Sequence, residues 1–160
     1  MKLILANNQS DKFVDFYKDL QKNVSELVDY SSYQDLLFSF DSNSERRLNV
    51  INMASEREIT DYSGVYINGY LNTYELAAAT AVACEKLNVP FVNRELSNPP
   101  SLSKLTMYAK LAAAGVNIPN SLAGSENVLL NAEKQIKINL RSRLTQKLNL
   151  IPCASGNSVP

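Results

Sequence analysis

Polar side chains crowd two places in this sequence where a short apolar run ends. Asn68, Tyr70, Asn72, Tyr74 and Glu75 follow Val65-Tyr66-Ile67. Asn93, Arg94, Glu95, Ser97 and Asn98 follow Phe91-Val92. If both runs are strands of an open α/β sheet, their carboxyl ends lie where such sheets bind ligands. Two neighbouring polar strand ends then make a cleft, with Asn68, Tyr70, Asn93 and Arg94 as its substrate-side candidates. The alternative is a set of polar loops that only cap the sheet. Gly69-Tyr70-Leu71-Asn72 is the nearest approach to a phosphate-binding loop. It has one glycine where a cluster is needed to bring backbone N–H groups onto a phosphate. It reads as a strand–turn–helix corner.

Other reactive groups are sparse. Asp41, Glu45, Glu56, Glu58 and Asp61 flank the middle loops, and Asp41, just past an apolar run, is the best single carboxylate. Surface acids in such a group are ordinarily solvated, and no metal site is assigned to them. Cys84 sits in an alanine-rich apolar segment with only Lys86 as a basic neighbour, which makes it a structural thiol. Cys153 lies in the tail and is an oxidation liability. The chain has no His, which removes Ser-His-Asp and Cys-His catalysis and His-containing metal sites. Lys+Arg and Asp+Glu are both 16, so the chain has no general excess of positive charge for nucleic acid. No apolar window is long enough for a membrane span, and Leu3–Ala6 is too short for a signal sequence. These features predict a cytoplasmic protein with reduced thiols.

The elements that must hold these residues follow from periodicity. Leu3–Ala6 reads as a buried strand, at 2–6. Phe13, Phe16, Tyr17, Leu20, Val24, Leu27 and Val28 fall at helical spacing and predict a helix over 11–28, entered at Ser10. Residues 33–40 read as a strand, 41–47 as a polar loop, 48–53 as a short alternating strand and 65–69 as a further strand. Thr73 caps a predicted helix over 73–87, whose alanines suit close packing on a sheet. Residues 90–93 form a strand. Ser101 or Ser103 opens a helix, placed at 103–114 and closed by Gly115. Residues 116–122 are extended. Strands alternating with helices predict right-handed crossovers and a mostly parallel sheet of four or five strands, with helices on both faces. The strands are 2–6, 33–40, 65–69 and 90–93. This Rossmann-like unit occupies 1–124. Residues 125–160 are a helical extension: an amphipathic helix over 125–150, stopped by Pro152, and a loose tail.

The stretch Pro90–Leu122 carries more than periodicity. A strand ends in Val92-Asn93, Ser103-Lys104 opens a helix, and Leu111-Ala112-Ala113-Ala114-Gly115-Val116 leads to Ile118-Pro119-Asn120-Ser121. This resembles the junction between the N-terminal and ATP-binding domains of ATP-grasp ligases, in the glutathione-synthetase and ribosomal-protein glutamate-ligase branch. Ser103 stands where those proteins place an Asp, and Asn120-Ser121 replaces their usual ending. Residues 64–93 fit the strand–helix–strand passage of the same domain. The resemblance covers about residues 1–125. It implies a pre-ATP-grasp domain in which Lys104 approaches ATP phosphates in the intact enzyme. It also implies chemistry in which Mg-ATP activates a carboxylate as an acyl phosphate for attack by an amine or thiol.

The family's strand lysine, glycine-rich lid loop and magnesium ligands are not recognisable in this chain. All sixteen acids lie at or before Glu133, and the last twenty residues carry Arg141, Arg143 and Lys147 with no acid, a tail unlike the family. The expectation is a truncated domain, inactive alone and without a cofactor of its own, whose missing partner is the ATP-binding domain. A second reading is a stand-alone α/β binding or scaffold domain that associates through its C-terminal helix. A small flavodoxin-like or methyltransferase-like enzyme lacks its glycine-rich loop. Without a following domain, Val116, Ile118 and Leu122 need a cover, and Leu129, Ile136, Leu140, Leu144 and Leu148 offer one. The segment can fold back onto its own sheet or pair with the same segment of a second chain, and because the stripe drifts around the helix a homodimer through 125–150 is favoured. Replacing Leu140 and Leu144 together by Asp is expected to give monomers or aggregates. Sedimentation of the unmodified chain as a monomer at about 100 μM would refute the dimer.

Overall fold

The computed structural model describes residues 1–6, 11–100, 103–140 and 149–152. They form two sheets that share one buried helix. The first sheet is parallel. Its strands are β1 (Lys2–Ala6), β2 (Val28–Ser32), β6 (Gly64–Ile67) and β7 (Phe91–Val92), in the order β2-β1-β6-β7. β1 is central because four of its five residues are buried, as a strand covered on both faces requires. It pairs with β2 from Lys2–Val28 to Ala6–Ser32 and with β6 from Lys2–Gly64 to Leu5–Ile67.

The connection between β1 and β2 differs from the sequence expectation. Helix α1 (Asp11–Asn23) ends five residues before Val28. The chain then turns back, and Val28 enters β2. Tyr17 Oη donates to the Val28 carbonyl at 2.7 Å, and Gln21 Oε1 accepts from the Val28 N–H at 3.1 Å. Residues 24–28 continue a helical spacing of apolar residues, yet Leu27 is 68% exposed while Val28 is buried. β1 needs a parallel neighbour, and the Val-Asp-Tyr-Ser-Ser run supplies one.

The expected parallel strand at 33–40 is also corrected. Tyr33–Asp35 form a 3₁₀ turn, in which Ser32 Oγ accepts from the Gln34 N–H and Asp35 reaches back to the Ser32 N–H. Only Leu36–Phe40 are a strand, β3, and it belongs to the second sheet. Seven residues connect β3 to β4 (Leu48–Asn52). A link that short makes a hairpin, since a parallel return needs a dozen residues or more. β3 therefore lies antiparallel to β4, with Phe38 opposite Val50, and antiparallel to β8 (Ser121–Gly124) on its other side. β5 (Arg57–Glu58) extends one edge beside β4.

Helix α4 (Glu126–Leu140) follows β8, and β9 (Asn149–Pro152) returns parallel to it. The expected helix over 125–150 is thus a helix followed, past residues 141–148, by a strand. α4 sets Val128, Leu129 and Ala132 against Leu37 and Leu122 of its own sheet. Ile118 and Leu122 are buried within the chain, while Val116 is 44% exposed. The side chains of Ile136, Leu140, Leu144 and Leu148, and the tail 153–160, lie outside the described residues. Gly124 lets β8 approach β3, because a Cβ there would stand 2.9 Å from the Leu36 carbonyl oxygen.

Helix α2 (Tyr74–Lys86) lies between the sheets, and Leu76 to Cys84 are all buried. It packs on β6, β7, β4 and α3 (Lys104–Ala113). A helix covered on every side needs small or apolar residues all round, and its alanines supply them.

A polar seam also joins the sheets. Asn52 of β4 is 1% exposed. Its Oδ1 accepts from Ser31 Oγ of β2 at 2.9 Å and from the Ala54 N–H at 3.1 Å, and its Nδ2 donates to Tyr62 Oη at 3.2 Å. Tyr62 Oη donates in turn to Asp29 of β2 at 2.8 Å. Removing one member strands the others in a buried place. Asn52→Ala is expected to lower stability by about 2–3 kcal/mol, read as a lower urea midpoint at an unchanged slope. A loss near zero would show that water replaces the side chain.

Candidate functional site

The parallel sheet has a switch point. From β1 the chain crosses to β2 on one side, and from β6 to β7 on the other, so the crevice at the carboxyl ends of β1 and β6 is where an open α/β sheet receives a ligand. Asn68 lies there. Its N–H donates to the Leu5 carbonyl at 3.0 Å, and its own carbonyl accepts from Tyr33 Oη at 2.8 Å. Tyr33 is fully buried, so its ring fills the space behind this rim and fixes its floor. Burial pushes the Tyr33 hydroxyl above its usual range, so it stays a neutral donor.

After Asn68 the chain bends at Gly69, whose φ of 57° is a left-handed conformation that glycine adopts without strain. A 3₁₀ turn at Leu71–Thr73 then runs directly into α2. The Tyr70 and Tyr74 rings lie tilted, 6.1 Å apart, at this corner. Thr73 is the N-cap residue of α2, as its position in the sequence suggests, but its side chain makes no capping bond. Its φ and ψ of −131° and 30° leave the extended region that a capping hydroxyl uses. Thr73 Oγ1 is buried without a hydrogen-bond partner, a situation that costs about 1–3 kcal/mol.

Asn93 closes the adjoining strand end. It sits at φ 68°, ψ 53°, and its Nδ2 donates to the Ile67 carbonyl at 2.5 Å. This bond ties the ends of β6 and β7 together. The left-handed turn also reverses the chain, so the next residue faces elsewhere. Arg94 lines a separate cleft of about 310 Å³ with Cys84, Glu85, Asn88 and Phe91. Asn68, Tyr70 and Asn93 thus follow the ends of two adjacent strands, and the Arg94 side chain belongs to the flank beside the last turn of α2.

Lys104 is exposed on the first turn of α3. Ser103 caps this helix through the Thr106 N–H at 3.1 Å. Glu75, in the first turn of α2, accepts from the Leu105 N–H at 3.3 Å. That carboxylate joins the starts of α2 and α3, with Lys104 the residue before Leu105. Sequence spacing offers no sign of this bond, which bridges thirty residues.

The loop acids do structural work. Asp41 accepts from the Asn43 N–H at 2.9 Å, Asp61 accepts from the Glu58 N–H at 2.9 Å, and Glu58 pairs with Arg46 at 2.7 Å. No group of three or more His, Cys, Asp or Glu suited to a metal occurs among the described residues. No helix among them is long and apolar enough to cross a membrane. Cys84 is buried, and burial pushes its thiol up to about 12. It is a packing residue of α2 and not a nucleophile.

The raised thiol pKa has a pH consequence. A group whose folded pKa lies above its unfolded value stabilises the fold below the unfolded value, near 8.5 for a thiol, and that contribution is lost as pH rises toward the folded one. Tyr17, Tyr30, Tyr33 and Tyr62 are also raised, with burial the main cause, and add the same effect above about pH 10. Stability is expected to decline from about pH 8.5 upward, and Cys84→Ala to delay the onset to about pH 10. Native Cys84 is expected to resist iodoacetamide, whereas rapid alkylation at neutral pH would show that the helix opens. Comparison with protein families, with characterised proteins and with solved structures finds no match for this chain.

Proposed function

We propose that this chain is the N-terminal domain of an ATP-grasp carboxylate–amine or carboxylate–thiol ligase, forming the acceptor side of its substrate cleft. One observation carries the reading. The chain leaves the parallel layer at the place where the Pro90–Leu122 motif calls for a change of domain. Gly115 ends α3, residues 116–120 carry no regular element, and Ser121 enters the second sheet as β8. β8 adds to the sheet that β3 and β4 already form, and with α4 and β9 extends that sheet by a parallel βαβ unit.

Lys104 supports the same reading. It is exposed, and no described side chain pairs with it, so its ammonium is free to meet a nucleotide phosphate presented by a following domain. In this reading the chain makes no Mg-ATP site of its own, in keeping with the first N–H groups of α3 that Glu75 and Ser103 already take. The reading therefore assigns Asn68, Tyr70 and Asn93 to the acceptor side and leaves the nucleotide to the next domain. Self-association through 125–150 remains part of the proposal. Leu130, on the outer side of α4, is 48% exposed and available to a partner.

The chain alone is expected to bind Mg-ATP no more tightly than about 1 mM, about −4 kcal/mol, and to release no ADP. A Kd near 1 μM would mean a complete nucleotide site. The decisive test joins residues 1–124 to the ATP-binding domain of a glutathione-synthetase-branch ligase. The chimaera is expected to release ADP only when a carboxylate acceptor is supplied, and Lys104→Ala to slow it about tenfold at subsaturating Mg-ATP. ADP release that ignores every acceptor, or an unchanged rate in the Lys104 variant, would overturn the assignment.

A further inference from the structure

We propose that the cleft between α1 and the β6–β7 half of the parallel sheet binds an unbranched aliphatic chain, the alkyl or acyl tail of a small amphiphile. The cleft uses none of the residues assigned to the ligase, so it stands or falls separately from that reading.

The floor of the cleft is one row of the sheet. Ile4 pairs with Tyr66, and Tyr66 with Val92. Side chains alternate along a strand, so this row points away from Leu3, Val65 and Ile67, which pack in the core with α2. A parallel sheet is ordinarily covered on both faces. Here α1 covers the β1–β2 side, where Tyr17 bonds to the Val28 carbonyl and its ring lies 5.5 Å from that of Tyr30. Exposure then rises along the row, from 6% at Ile4 to 42% at Tyr66 and 51% at Val92. The wall is α1 itself. Phe16, Leu20 and Val24 recur every fourth residue and line the cleft together. The Val24 N–H donates to the Leu20 carbonyl at 3.1 Å, which carries the helical line past Asn23. Residues at this spacing stand one above another, so the wall is straight and about 12 Å long.

Size and charge select the occupant. The cleft measures about 540 Å³. Small-molecule sites run from about 300 to 1,000 Å³ and are mostly apolar. A protein partner needs more surface than this face offers. The exposed parts of Phe16, Tyr66 and Val92 come to roughly 300 Å² of apolar area, on the scale of aromatic side chains. Each side of a standard protein interface brings about 800 Å². Lys2 is the only charged residue among those lining the cleft, and Glu26 pairs with it at 3.0 Å. No uncompensated charge among the described residues faces the cleft, so the bound part of the ligand is uncharged. A trough with a straight apolar wall suits a linear chain.

The test uses the full chain, with methyl and aromatic NMR during separate titrations of octanol and octanoate. Signals of Ile4, Leu20 and Tyr66 are expected to shift saturably, with a Kd below about 1 mM. Val92→Lys puts a charge on the floor at an exposed position. It is expected to weaken octanol binding about tenfold and to leave the urea midpoint unchanged. Phe16→Ser, also at an exposed position, is expected to weaken binding from the other wall, and it gives the same reading if Val92→Lys fails to fold. Equal binding of the two probes shows that the site takes the chain alone, and tighter binding of octanoate adds Lys2 as the contact for its head group. No saturable shift at about 2 mM octanol overturns the site, as do unchanged binding in the folded variants and shifts spread through the core instead of this face. A dimer of the unmodified chain in sedimentation that Val92→Lys dissociates would assign the face to a second copy, and overturns it too.

Discussion

The burial of the middle of α2, from Leu76 to Cys84, is the constraint on which the rest depends. Leu76 to Cys84 have no solvent face, so this helix cannot be the outer layer of anything. It must have the parallel sheet on one side and a second layer on the other. The second layer is α3 together with the hairpin β3–β4. Small side chains make this arrangement possible: Ala77, Ala79, Ala81 and Ala83 are all 0% exposed, and they let backbones come close on more than one side. One larger residue among them would overpack the centre of the molecule. The same burial fixes where α2 begins, and so where Thr73, Tyr74 and Glu75 stand relative to the strand ends.

Apolar contact alone does not set the register between two layers, since it has no direction. The directional bonds come from Asn52, Ser31, Tyr62 and Asp29, and from Tyr33. Tyr33 begins the passage from the first sheet to the second, yet its hydroxyl bonds back to the Asn68 carbonyl of the first. The rim of the candidate site is therefore built by the element that leaves the sheet. A buried hydroxyl with one good acceptor holds that geometry more tightly than packing would, because losing the bond leaves a donor unsatisfied.

The neighbourhood of Asn93 shows how one backbone conformation sorts chemistry. Asn93 in the left-handed region ties its side chain to Ile67 and sends the chain back along α2. Two residues adjacent in sequence then serve different surfaces, Asn93 the ligand rim and Arg94 the flank. Glu75 does the opposite, because it brings together the starts of two helices thirty residues apart.

Several local elements were legible in the sequence: β1, β4, β6, β7, α2 and α3, in that part of their order. Alternation and turn residues locate β1, β6 and β7, and helical spacing with Ser103 and Gly115 locates α2 and α3 to within a residue or two. The sequence placed Asn68, Tyr70 and Asn93 at strand ends, because strand ends are local features. Where α1 stops depends on long-range pairing, since residues 24–28 continue a helical period until β1 takes a parallel partner. Only the tertiary structure decided that Leu36–Phe40 join a second, antiparallel sheet, because pairing direction depends on what lies across the strand and not along it. The idle Thr73 hydroxyl and the Glu75 bridge are likewise invisible in sequence. Whether a polar atom is satisfied depends on partners brought from distant residues, and periodicity carries no information about them.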